Sequence, residues 1–301
     1  MDFEDYQRQA KTTDKTENAG GVVVALMGLA GEAGSLLTEY KKHLRDGAAH
    51  SRFESAVAEE LGDMLWYIAT LASHMNIALE DIAMMNIAKT QERWGSEHDD
   101  QIGLQLPRSL PDEAYPQTEQ IPRTLNIRFE ETQEGGRHHV KIFSDDVQVG
   151  DQITDNAYDD DGYRYHDVFH LAYAAVLGWS PVLRKLLKRK RRSNPLVDEV
   201  EDGGRAQVIE EAVSAYVYQY AQNHAFLEGV TTVDYALLKT IKELTKGTEA
   251  GRATFRDWEL AILEGFRVWR ALRRARSGLV RCNLREGTIV FEPANSGGVG
   301  G

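Results

Sequence analysis

Apolar residues recur at helical spacing from about Val22 to Leu44 and again from Ser51 to about Met75, with only a short break at Arg45-Asp46-Gly47 between them. Lys41, Lys42 and Arg45 suit the negative end of the first helix, and Ser51 can cap the second. A short helix over residues 2–13 precedes them, with Phe3, Tyr6 and Ala10 on one side and the Gly20-Gly21 break after it. Leu79 to Trp94 adds another, opened by Glu80 and Asp81. Four helices with short connections describe a bundle, so residues 1–95 read as an all-α domain.

The rest of the 301-residue chain changes character. Pro107, Pro111, Pro116 and Pro122 punctuate a polar stretch that reads as a linker. Alternating segments around Ile127 and Ile142 flank Gly135-Gly136, which predicts a β-hairpin insert, so 96–162 is linker plus hairpin. Helical periodicity returns at Tyr163, giving a second helical domain over 163–277. Residues 278–301 read as a pair of short strands and a flexible Gly-rich tail.

Charge narrows the partners. The net charge is −12, from 35 basic and 47 acidic residues, so the chain as a whole does not attract nucleic acid or an anionic membrane. No apolar run is read as reaching the ~20 residues of a bilayer span. The single cysteine, Cys282, and an acidic start unlike a signal peptide point to a cytoplasmic protein.

Glu60 and Asp63 stand three apart on one helix, so their carboxylates share a face, and Glu32 lies on the neighbouring helix. Converging carboxylates repel one another and resist desolvation. A hard divalent cation relieves both, and Mg²⁺ so held usually keeps waters and substrate phosphates as its other ligands. Gly31, Gly34 and Gly62 beside the acids cost helix stability, roughly 1 kcal/mol each, which suggests a close approach by a helix or ligand.

These motifs resemble those of MazG-type nucleotide pyrophosphohydrolases, which are all-α. Their pattern is Glu-x-x-Glu on one helix, Glu-x-x-Asp on the next, and an Asn and a Lys on a later one. Here it is matched by Glu32-Ala-Gly-Ser35, Glu60-Leu-Gly-Asp63, and Asp81 through Asn86 to Lys89, across about residues 1–95. The resemblance implies that Glu32, Glu60 and Asp63 bind Mg²⁺, with Mn²⁺ as an alternative, and serve catalysis. It implies that Asn86 and Lys89 contact the phosphates of a nucleoside triphosphate, which is cut to monophosphate and pyrophosphate. It also implies a homo-oligomer, since such domains build their sites between subunits. Ser35 departs from the pattern by replacing a carboxylate with a hydroxyl. Glu39, two turns beyond Glu32, or Glu59 could reach in to replace it. If neither does, the fold would serve as a nucleotide-binding sensor or scaffold without turnover.

The C-terminal half offers a parallel. Glu210-Glu211 lies over Glu59-Glu60, and Asp234 to Lys242 over Asp81 to Lys89, as in a degenerate second copy that could form a pseudo-dimer within the chain. Asp167 and His170, three apart, could face Glu210 or Glu211 and hold a divalent metal, the histidine favouring a transition ion. His166-Asp167 also resembles the pair of HD-type phosphohydrolases, but the further His and Asp of that pattern have no counterpart that can be placed. Packing against nearby aromatics accounts for His166 and His170 equally well. The basic run Arg184 to Arg192 reads either as a helix end balanced by Asp198 to Asp202 or as a nucleic-acid patch, and the first reading is preferred. Trp258, Phe266 and Trp269 at helical spacing read as core.

Overall fold

Asp2 accepts the Asp5 backbone N–H at 2.8 Å and so caps the first helix, α1 (Phe3–Thr13). Three more helices follow: α2 (Gly21–Asp46), α3 (Phe53–His74) and α4 (Leu79–Trp94). The chain, a computed structural model, describes residues 1–16, 20–94 and 109–294. It divides into two units, Met1–Gln91 and Glu92–Gly301.

In the first unit, α2 packs along α3 and α1 crosses α3. Gly28 permits the α2–α3 approach, because a Cβ there would lie 2.2 Å from the Tyr67 ring. Polar ties fix α1: Trp66 Nε1 donates to Thr13 Oγ1 at 2.8 Å, and His74 Nε2 meets Asp14 at 2.8 Å. Gln7 accepts the Leu79 N–H at 2.8 Å and thereby anchors the start of α4. Ser51 does not cap α3; Arg52 occupies that position and makes no side-chain cap bond. Beyond Leu79, Ile82, Met84, Met85 and Ile87 of α4 are exposed, so the fourth helix stands out from the other three rather than closing the expected bundle.

Helix α2, through Ala49, is long and apolar enough to cross a membrane by length and composition, with mean hydropathy 1.6. This corrects the expectation that no run approaches that length. Charged residues are few enough in the N-terminal part of the helix to leave an apolar window. Glu32 is costly in hydrocarbon, and here it lies among other acids instead.

The second unit is not all-helical. Gly135 (φ 59°) and Gly136 (φ 79°) supply the left-handed pair that a two-residue hairpin turn requires, joining β1 (Thr124–Glu134) to β2 (Arg137–Ser144). The terminal strands β4 (Gly278–Asn283) and β5 (Thr288–Pro293) are not a separate appendage. β4 pairs antiparallel with β1, Thr124 opposite Asn283, and with the short β3 (Val147–Gln148) they form one five-stranded sheet, β3-β2-β1-β4-β5. The hairpin is therefore part of the C-terminal core, because its inward residues Leu125, Ile127 and Phe129 need the cover those helices give.

Two helices provide that cover, α5 (Asp167–Leu177) and α10 (Phe255–Ala275). α5 is buried from Val168 to Leu177, as a helix apolar on all sides must be. α10 opens with a capping box between Thr254 and Asp257, and it buries Trp258, Phe266 and Trp269 in the core. Around them stand α6 (Pro181–Leu186), α7 (Pro195–Val200), α8 (Gly204–Gln222) and α9 (Tyr235–Thr245). The stretch read as linker is partly folded: Leu110, Asp112 and Ile121 are buried, while 96–108 and the tail from 295 lie outside the described residues.

The basic run turns inward. Arg184, 2% exposed, meets Asp112 at 2.8 Å, and Arg191, fully buried, meets Asp202 and Glu249, each at 2.8 Å. Arg189 donates to the Thr118 carbonyl at 3.1 Å and Lys190 pairs with Asp198 at 3.2 Å. These partners occupy four of the run's seven charges, while Lys185, Lys188 and Arg192 stay exposed. Asp202 is fully buried and also accepts the Arg191 backbone N–H at 2.7 Å. Removing one partner of such a pair strands a buried charge. Asp202→Ala is expected to destabilise the protein by about 3–5 kcal/mol, read as a lowered urea midpoint; an unchanged midpoint would remove the clamp from this account.

Candidate functional site

Pairing of α2 with α3 brings three acids together. Glu32, Glu60 and Asp63 each offer a carboxylate oxygen, all within 4.8 Å of one another. Glu32 and Glu60 are half-buried and Asp63 is exposed. Partial burial, a hydrogen bond with Glu32, and the charges of Glu32, Asp63 and Glu59 push the Glu60 carboxyl above its usual range. Two carboxyl groups share a hydrogen bond only when one holds a proton. Burial and the Asp63 carboxylate likewise raise the Tyr6 phenol, which places Tyr6 of α1 near the cluster. The donor set is all oxygen and carries more negative charge than it can hold unaided, which suits a hard divalent ion.

The other expected residues stand differently. Ser35 is half-buried one turn from Glu32. Glu39 does not fill the gap that Ser35 leaves. Its two oxygens are taken by Lys42 at 2.5 Å and His50 at 2.9 Å, which together hold its carboxyl below the usual range, the Lys42 hydrogen bond foremost. Glu59 is exposed. Asn86 and Lys89 are exposed on α4, away from the packed α2–α3 pair. A Cβ at Gly31, Gly34 or Gly62 would meet nothing within 4 Å, so these glycines do not serve helix packing inside the unit; they leave open space beside the acids.

A second group forms in the C-terminal unit. Asp167 and His170 of α5 face Glu211 of α8, and His166 joins them, its Nε2 lying 3.6 Å from Asp167 and 4.0 Å from Glu211. The sequence reading named His166 only as half of an HD pair or a packing residue, although its spacing of four from His170 places both on one helix face. Of the two acids it offered as facing His170, Glu210 anchors the Nδ1 side at 2.8 Å, and Glu211 lies on the Nε2 side. Burial lowers the His170 pKa, but Glu210, Glu211 and Asp167 outweigh it and raise it well above the usual imidazole value. Burial works to raise Glu211, yet His170, His166 and Lys185 hold it below its usual range. Burial and the charges of Glu211 and Asp167 push the Tyr163 phenol up to about 12. A larger cavity, about 710 Å³, runs along β1 and β4 beside Arg128 and Thr132, but no metal-ligating set converges there among the described residues.

Comparison with known proteins gives each unit its own relatives. The family model described as the MazG nucleotide pyrophosphohydrolase domain matches residues 25–96. Another, the MazG C-terminal domain, matches residues 107–295. The Gene 37 protein of Mycobacterium phage L5 is 35% identical over 101 residues, covering 31% of this chain and 89% of that relative. No solved structure matches. Two different models, and a sheet in the second unit only among the described residues, replace the idea of a degenerate repeat. Helix α5 packs chiefly on α10, whereas α2 packs on α3, so the two halves do not share an arrangement.

A carboxyl whose pKa is raised by folding adds stability below its unfolded value and loses that contribution as pH climbs through the folded one. In chelator, Glu60→Gln is therefore expected to melt at or above the wild type at pH 7, with the gap closing as pH falls toward the ordinary carboxylate range. A variant that melts lower at every pH would show that the acids attract rather than repel.

Proposed function

We propose that this chain, which belongs to the MazG nucleotide pyrophosphohydrolase family, hydrolyses a nucleoside triphosphate to monophosphate and pyrophosphate with Mg²⁺ held by Glu32, Glu60 and Asp63. The observation that carries the reading is the convergence of these acids from α2 and α3, with Glu60 driven toward protonation by its neighbours. Such a site is poised to exchange a proton for a cation. Bound Mg²⁺ or Mn²⁺ would offset the charge of the phosphate tail and of the leaving pyrophosphate. The protein's own part is to hold the carboxylates at fixed spacing and to leave the open space at Gly31, Gly34 and Gly62 for a ligand. Asn86 and Lys89 supply an amide and a positive charge for phosphate oxygens.

A second copy of the chain completes this arrangement. Ala10, Ala69 and Leu79 are the buried cluster of the first unit, too small a core for a domain of its size. Val23, Met27, Leu37, Leu61 and Met85 are exposed on α2, α3 and α4, a patch of the kind that marks an interface. Pairing two copies through it covers these residues and gives the outstanding α4 a surface to pack on.

Ser35 favours the binding-only alternative, because it removes one carboxylate of the pattern. Pyrophosphate release across NTPs and dNTPs, with Mg²⁺ or Mn²⁺, separates the two. Turnover of at least one nucleotide is expected, falling by at least about 100-fold in Glu60→Gln and Asp63→Asn. Nucleotide binding without turnover would leave the sensor role instead, and no binding at all would dismiss both. Light scattering after size exclusion should give twice the chain mass or a multiple of that, and Leu61→Asp with Met85→Asp should halve it; a monomeric wild type would contradict the pairing.

A further inference from the structure

Both histidines at the start of α5 are held by the same atom. His166 Nδ1 lies 3.0 Å from the Tyr163 carbonyl, an acceptor only, so Nδ1 carries the proton. The Tyr163 ring stacks on His166 at 4.6 Å and fixes its plane. His170 Nδ1 lies 2.8 Å from Glu210, which is itself fully buried and fastened by Ser180 Oγ at 2.6 Å and the Val182 N–H at 2.8 Å. Carboxylates and carbonyls that grip Nδ1 in this way fix the aim of Nε2, so that a cation displacing an Nε2 proton meets an oriented ligand, as behind metal-bound histidines.

The two Nε2 atoms point into one space. His170 is fully buried, and its Nε2 has no hydrogen-bond partner. Glu211 lies 3.5 Å and Asp167 3.9 Å from it, while His166 Nε2 is 3.6 Å from Asp167 and 4.0 Å from Glu211. An ion with bonds of about 2.0–2.1 Å separates tetrahedral donors by about 3.4 Å, and one ligand atom each from His166, His170 and Glu211 already lie within 4.8 Å of one another. Packing alone explains the Tyr163 stack but not a buried nitrogen left without a partner.

We propose that His166, His170 and Glu211, with Asp167 beside them, form a second metal centre, selective for a first-row transition ion and separate from the acidic site of the first unit. Two imidazoles with carboxylates favour such an ion over Mg²⁺. A cavity of about 600 Å³ opens on His166, Asp167 and Glu211, with Lys185 on its wall. The ion therefore keeps a position open to water or to an anionic oxygen ligand, which Lys185 attracts.

The test is Co²⁺ titration of the full chain carrying Glu32→Gln, Glu60→Gln and Asp63→Asn, which silences the first site. About one equivalent of Co²⁺ is expected to give visible absorption stronger than that of the aqueous ion. His166→Gln and Glu211→Gln on this background should each weaken binding about 10-fold or more, with circular dichroism unchanged. Glu211 is 46% exposed, so its replacement reports on the centre even where a histidine change disturbs folding. Absorption no stronger than that of aqueous Co²⁺, or an affinity indifferent to Glu211→Gln, would overturn the proposal.

Discussion

Three carboxylates held within one ion's reach set the terms for the first unit. Left alone, Glu32, Glu60 and Asp63 repel, and the raised Glu60 pKa records that cost. The helices that carry them bury little: Ala25 on α2, and Ala69, Thr70 and Ala72 on α3. A pair of helices so thinly packed gains its stability from what binds to it. In the proposed function a cation would answer the charge and a second copy the exposed apolar side chains, so function and folding would draw on the same two partners.

The second unit is built on the opposite plan. Its charges are neutralised from within, Arg184 and Arg191 by Asp112, Asp202 and Glu249, and Arg164 by Asp155, Asp160 and Glu131. A central helix buried on all sides, a five-stranded sheet and a row of aromatics give it a core of its own. Against that background, the unpartnered Nε2 of His170 differs from the unpartnered indoles of Trp179 and Trp258 in facing other ligand atoms.

How far the sequence could be read depended on the distance between partners. α1 to α4 follow from apolar spacing and breaks a few residues long, and the acids of α2 and α3 follow from the family pattern. The sheet did not, because β1 pairs with β4 across all the intervening helices of the chain, Thr124 opposite Asn283. The basic run was legible only in part for the same reason: nearby Asp198 and Asp202 answer it as expected, but so do Asp112 and Glu249, far away in the chain. Glu39 looked available because helical geometry places it two turns from Glu32, while His50, which captures it, lies past the helix end. His166, His170 and the Glu210-Glu211 pair were visible, but not that Glu210 grips Nδ1 of His170 while Glu211 faces its Nε2.

The central claim is that the acids of α2 and α3 bind a cation together with a nucleotide's phosphates. Mn²⁺ titration followed by electron paramagnetic resonance, with and without a non-hydrolysable triphosphate analogue, tests it most directly. The account predicts one Mn²⁺ bound more tightly when the analogue is present, and predicts that Glu32→Gln abolishes this enhancement. Mn²⁺ binding that is indifferent to both the analogue and Glu32 would contradict it.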